Sequence, residues 1–396
     1  MDVLKNKHRI HGFLVNSVRR MFGHIILRYC HAKIETYKPK HKAFIIVGNH
    51  ADGMDPGYEL MALKRYMRIV VSDHLTNNKF SEFFLKKFAG VIVKHRDQPT
   101  THVVEQIIAS IKEGVPVSIY PEGAMTPNGE TGFFSPRTGQ MIKDSGAALI
   151  TFKLTGGYLH APKWAKKLRR GPVHGHVVRE YSPDEIAAMT VDEVNETITR
   201  DIYHNDYALQ KEKRNEYRGK RLAECVERIL YLCPECHSIG KLHSSGNFLE
   251  CDCGYKVELK FDGFFHNTGT GLHFESILDW DKWQKDAWKQ IVLGTPKGEL
   301  IYSENRQIIS MFVKHRKQLI NKDAELRLFT DKFEIAYDGE TKITIPMDKI
   351  KLVLNVSIEA LIIVTDDHYL YIQSQYPRAA AKYVAAWRFL TNKDYK

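Results

Sequence analysis

The chain has 396 residues, of which 43% are hydrophobic and 27% charged, and its formal net charge is +11. That composition excludes a largely disordered chain. No apolar run exceeds about six residues, which excludes a spanning helix of roughly 20 and the apolar core of a secretory signal. The length suggests two or three domains, and the basic balance suggests an anionic partner: lipid headgroups, nucleic acid or phosphorylated metabolites.

Residues 1–40 carry nine Lys/Arg against Asp2 and Glu35, a local charge of +7. Within them Ile10, Phe13, Leu14, Val18, Met21, Phe22, Ile25, Ile26 and Tyr29 recur at helical spacing, while Arg19, Arg20 and Arg28 fall on other faces. The pattern predicts a basic amphipathic helix that either packs on its own domain or lies in a membrane interface. From 41 to 204, short apolar runs (Ala43–Val47, Arg68–Ser72, Val91–Val93, Val115–Tyr120, Ala147–Phe152) alternate with helix-like stretches near 57–66, 79–88, 100–113 and 138–145. A strand near 173–180 and a helix from Pro183 to about Arg200 close this region. Buried runs separated by helices predict an α/β fold, a mostly parallel sheet flanked by helices. Residues 205–260 read as a basic helical stretch followed by a cysteine cluster. Residues 261–396 begin with a helix marked by Trp280, Trp283 and Trp288. Strands follow at Leu326–Ala336, Lys342–Ile345, Lys351–Val356, Leu361–Val364 and Tyr369–Gln373, then a helix at Arg378–Leu390. This β-rich region with one terminal helix loosely resembles a pleckstrin-homology domain.

The strongest chemical signal is Asn49-His50-Ala51-Asp52-Gly53-Met54-Asp55, directly after an apolar strand. Open α/β sheets gather reacting groups at the carboxyl ends of their strands, and histidine exchanges a proton near neutral pH. Asp55 before Pro56 reads as a helix N-cap, and a turn of this length can return its carboxylate to one imidazole nitrogen, leaving the other for substrate. Two further strand ends carry Gly90-Val-Ile-Val-Lys-His-Arg96 and Tyr120-Pro-Glu-Gly123.

These three blocks, in this order, resemble the glycerophospholipid acyltransferase family typified by lysophosphatidic acid acyltransferase. The resemblance covers roughly residues 25–200. It implies catalysis by His50 and Asp55, with Asn49, Arg96, Glu122, Gly123 and Arg137 binding substrate. It further implies a 1-acyl-sn-glycerol-3-phosphate acyltransferase-like reaction: a fatty acyl group passes from a thioester donor, acyl-CoA or acyl carrier protein, to a hydroxyl of a lysophospholipid or glycerol-phosphate-like acceptor. The expected setting is a cytoplasmic enzyme peripheral on an anionic membrane surface. Where the family continues Thr-Arg after the third block, with the arginine associated with acceptor phosphate, this chain has Ala124-Met125, so the resemblance does not extend to recognition of a lysophosphatidic acid phosphate. The fourth block's usual proline is also missing from Leu149-Ile150-Thr151-Phe152.

Cys233, Cys236, Cys251 and Cys253 form two close pairs, the spacing of a structural tetrahedral zinc site in a zinc-ribbon-like segment, with His237 and His243 as alternative ligands. Two rival readings remain: a nucleic-acid-binding zinc-ribbon protein, and a catalytically inactive lipid-binding relative. The first leaves the strand-end motifs without a purpose and lacks an aromatic basic face, so no nucleic-acid partner is expected.

Overall fold

Phe44–Gly48, five consecutive buried residues, form strand β2 at the middle of a seven-stranded sheet in a computed structural model. The structure describes residues 2–76, 81, 83–94, 100–313, 316–356, 358 and 360–392. Packing divides the chain into two units, Met1–Lys163 with Leu168–Arg218, and Trp164–Lys167 with Gly219–Lys396.

In the first unit β1 (Ala32–Ile34), β2, β3 (Arg68–Ser72), β4 (Ile92–Lys94), β5 (Val117–Ile119), β6 (Ala148–Thr155) and β7 (Val173–Tyr181) lie in the order β1-β7-β6-β2-β5-β3-β4. The ladders from β6 through β4 are parallel. β7 runs antiparallel to β6 and carries β1 parallel to itself. β2, β5 and most of β6 are continuously buried because both faces of the sheet are covered, as parallel sheets require. One side packs Ile45, Val47 and Val117 against Ile107, Ile142 and Ile198 of the flanking helices. The carboxyl ends of β2, β4 and β5 therefore share one edge. The single helix expected from Pro183 is two, Pro183–Ala188 and Val191–Ile202. Ser182 with Glu185, and Thr190 with Glu193, each close a capping box, and the second box starts a new helix.

Helix α1 (Asp2–Tyr29) packs by a face of small residues. A Cβ on Gly23 would stand 2.5 Å from the Met61 sulfur, Gly12 faces the Tyr66 ring, and Cys30 just beyond the helix is buried. Its opposite face exposes Ile10, Phe13, Met21, Ile25 and Tyr29, each more than half accessible.

The second unit holds two sheets. β8 (Leu242–Ser245), β9 (Phe248–Cys251), β10 (Lys256–Leu259) and β11 (Phe265–Asn267) form an antiparallel meander. The larger sheet runs β15-β14-β13-β12-β18-β17-β16, antiparallel throughout. Its strands are β12 (Leu300–Val313), β13 (Arg316–Phe329), β14 (Lys332–Tyr337), β15 (Glu340–Pro346), β16 (Leu352–Val356), β17 (Ala360–Val364) and β18 (Tyr369–Ser374). The run read as one strand from Leu326 to Ala336 is the end of β13 and the start of β14, separated by a turn at Thr330-Asp331. Between the sheets, helix Ile277–Gly294 buries Trp280 and Trp288, whose indole N–H groups donate to the carbonyls of Leu232 and Lys382.

Candidate active site

β2 delivers Asn49 and His50 at the sheet edge. Asn49 is buried, and its amide clamps β6: Nδ2 donates to Leu154 O at 2.9 Å and Oδ1 accepts from Leu154 N–H at 2.8 Å. His50 is thereby held by its neighbour, and its own backbone is engaged by the third block. His50 N–H donates to Glu122 Oε1 at 2.8 Å, and His50 O accepts from Thr126 N–H at 2.8 Å. Glu122 Oε2 also accepts from Gly132 N–H at 2.6 Å, so this carboxyl staples two loops. Gly123, at φ 71°, closes the turn by donating to Tyr120 O.

The Asp55 carboxylate folds back onto the same loop. Oδ2 accepts from His50 Nδ1 at 2.7 Å and from Ala51 N–H at 2.9 Å, and Oδ1 accepts from Asp52 N–H at 3.0 Å. Asp55 is 2% exposed while the His50 side chain is 21% exposed. The expected N-cap role is corrected here. Helix α2 (Asp55–Leu63) starts at Asp55 itself, Met54 occupies the cap without a side-chain bond, and the carboxylate is turned to the preceding loop. The pairing at Nδ1 assigns that proton and leaves Nε2 with a lone pair. The Tyr120 ring stacks on His50, centroids 4.4 Å apart and planes 23° from parallel.

Burial dominates the electrostatics. It pushes the Asp55 carboxyl up to about 6 against the bond from His50, and Glu122 up to about 7 against its two backbone donors. Behind them Asp52 is also raised by burial; it accepts from Tyr58 at 3.2 Å and faces buried His160 at 4.0 Å. Arg137 is exposed at the first position of helix Arg137–Ser145. Arg96, expected to hold a phosphate, lies outside the described residues. An aromatic shelf for the histidine and a fully buried Glu59 beside it were not foreseen: a tyrosine at a strand end and an acid on a helix carry no distinguishing pattern.

In the second unit the sulfurs of Cys233, Cys236, Cys251 and Cys253 lie within 4.8 Å of one another, with Cys233–Cys253 at 3.9 Å and Cys236–Cys251 at 3.8 Å. A disulfide would need about 2.05 Å, whereas four sulfurs about 2.3 Å from one zinc stand roughly 3.8 Å apart. His243 instead faces Asp252 and His237 packs on Trp283, so neither joins the cluster.

Residues 30–154 match the family model described as Acyltransferase. This stretch, which contains all three strand-end motifs, is an acyltransferase-family domain, as the motifs indicated. Solved structures similar to the chain include the 1-acyl-sn-glycerophosphate (LPA) acyltransferase PlsC from Thermotoga maritima, 18% identical over 48% of this chain and 78% of that one, with a TM-score of 0.41. The Vps36 N-terminal PH domain is 14% identical over 24% and 80%, at 0.20. The N-terminal PH domain of human ARAP2 is 11% identical over 26% and 90%, at 0.19. No curated protein gives a match.

Proposed function

We propose that this acyltransferase domain transfers a fatty acyl group from a thioester, acyl-CoA or acyl carrier protein, to a hydroxyl of a lysophospholipid-like acceptor. The carrying observation is the 2.7 Å His50–Asp55 pair at the strand edge, with Nε2 free to take a proton. His50 removes the acceptor hydroxyl proton as the oxygen attacks the thioester carbonyl. The tetrahedral intermediate collapses, the carbon–sulfur bond breaks, and the departing thiolate regains the proton from the imidazolium. Asn49 and Glu122 hold the base, Gly123 shapes the loop beside it, and Arg96 and Arg137 are the cations proposed for anionic parts of the substrates.

Among the described residues no helix is long and apolar enough to cross a membrane. The exposed apolar face of α1 supports peripheral docking on an anionic surface. So does a cavity of about 240 Å³ beside it, lined by Arg19, Arg20, His24 and Lys64. The order of the larger sheet with its closing helix Ala381–Thr391 supports a pleckstrin-homology-like domain. The sulfur spacing supports one structural zinc in a ribbon-like segment, with all four positions filled by thiolates.

Lipid mass spectrometry after incubation with acyl-CoA and a lysolipid panel tests the activity. His50→Ala should cut turnover about 10²–10⁴-fold in a folded protein, and a folded His50→Ala protein with normal turnover would remove the mechanism. In the same assay Phe13→Asp with Phe22→Asp should slow acylation of vesicle-embedded acceptor while sparing a short soluble one. Metal analysis should give about one zinc per chain, lost in Cys233→Ser with Cys251→Ser.

A further inference from the structure

Glu59 lies one turn along α2 from Asp55, is fully buried, and is a group the acyl-transfer scheme does not use. Its Oε2 accepts a 2.6 Å hydrogen bond from Ser118 Oγ on β5. Its Oε1 makes no close hydrogen bond, and neither does the hydroxyl of Tyr120 at the end of the same strand, although the two groups act on each other. The two are neighbours. The point where a Cβ would stand on Gly48 is 2.8 Å from Glu59 Oε1 and 3.4 Å from Tyr120 Cε1. The groups that act on Glu59 are Asp55 on its own helix, and Ser118 and Tyr120 from β5; none of these is a cation. Burial pushes the Glu59 carboxyl up to about 8, with Asp55 adding to the rise against the hydroxyls of Ser118 and Tyr120. At neutral pH the group therefore keeps its proton and has an O–H to offer. An unpaired buried hydroxyl is costly, and a small rotation joins it to that donor. The ring that carries this hydroxyl is the one stacked on His50.

We propose that Glu59 is a positioning residue for the reaction: bonded to Ser118 and to the Tyr120 hydroxyl, it holds the Tyr120 ring flat against the His50 imidazole. With Asp55 fixing Nδ1 and Tyr120 covering one ring face, the imidazole keeps one orientation and Nε2 one direction. Ionisation of Glu59 turns the bond round, so that the Tyr120 hydroxyl donates to a carboxylate, and places an uncompensated charge beneath the shelf; the ring shifts and His50 loses alignment. This inference rests on His50 being the base.

The test is the pH dependence of acyl transfer by the full chain, with thermal unfolding measured for each variant. The parent should lose kcat on the alkaline side as Glu59 ionises. Glu59→Gln keeps the shape and a donor but cannot ionise. Its kcat at neutral pH should stay within about threefold of the parent, the scale of one modest hydrogen bond, and the alkaline fall should vanish. Tyr120→Phe removes only the hydroxyl and should lower kcat about 3- to 10-fold with KM unchanged. An alkaline fall in Glu59→Gln at the same pH as in the parent overturns the proposal. So does a parent with no alkaline fall, or a Tyr120→Phe protein with parental kcat. If Glu59→Gln does not fold, Tyr120→Phe decides alone. A folded, active His50→Ala protein instead removes the underlying reading. An inactive one beside unaltered Glu59 and Tyr120 variants removes this inference only.

Discussion

Glu59 in the first unit and Glu304 in the second are both buried acids held in opposite ways. Glu304, on β12, is surrounded by donors: Lys382 Nζ at 3.1 Å, Arg378 Nε at 3.3 Å, and the hydroxyls of Tyr302 and Tyr383, each at 3.1 Å. Lys382 is itself fully buried, and desolvation lowers its pKa against the pull of Glu304. Glu59 has only the hydroxyls of Ser118 and Tyr120 acting on it beside Asp55, and no cation. The second unit thus fixes a set of charges whose members depend on one another. The first unit raises the carboxyl groups of Asp55, Glu59 and Glu122 toward neutrality by burial.

Breaking the charged set should have the largest effect on stability. Lys382→Met leaves Glu304 short of its closest cation and should cost about 3–5 kcal/mol, read as a fall in the denaturation midpoint; a loss no larger than that of a surface substitution would undo the contrast. Next comes Glu59→Gln, whose effect depends on pH. A carboxyl raised from 4.5 to about 8 in the folded state contributes stability that is complete below pH 4.5 and lost as the pH rises through about 8. Asp55 and Glu122 act with the same sign through about 6 and about 7. Denaturant titrations should therefore show the parent weakening from pH 5 to pH 9. Glu59→Gln should match it at the acid end and exceed it at the alkaline end. The smallest effect should come from Lys342→Ala. Lys342 pairs with Glu340 at 2.5 Å, but the two side chains are 34% and 72% exposed. Water and salt screen such a pair, so the change should stay within about 1 kcal/mol.

Much of the candidate site's edge was legible because a parallel sheet writes its strands as short apolar runs. Once β2 and β5 were recognised, the residues just beyond them had to share an edge. The Asp55 cap was misjudged because Asp-Pro at a helix start has the same appearance whether the carboxylate turns forward onto the helix or back onto the loop. Two backbone N–H groups, of Ala51 and Asp52, and an imidazole settled it, and none of these leaves a mark in the spacing. Glu59 was invisible for a related reason: on a nine-residue helix an acid reads as a solvated face, and its burial follows from the sheet above it. In the second unit the cysteine pairs announced themselves. The long β12–β13 hairpin did not, because Leu300–Glu325 alternates poorly and shifts register at several points along the ladder.

Gly48 carries the consequence of this packing into the history of the sequence. Its missing side chain is the room that Glu59 Oε1 and the Tyr120 ring occupy. Positions 48 and 59 therefore cannot drift independently. A chain that acquires a methyl group at 48 must move, shorten or lose the acid at 59. A chain that keeps the acid in this rotamer must keep the glycine. Across descendants of this protein the two columns should change together or stay fixed together, a correlated pair separated by eleven positions along the chain and joined by one ångström-scale vacancy.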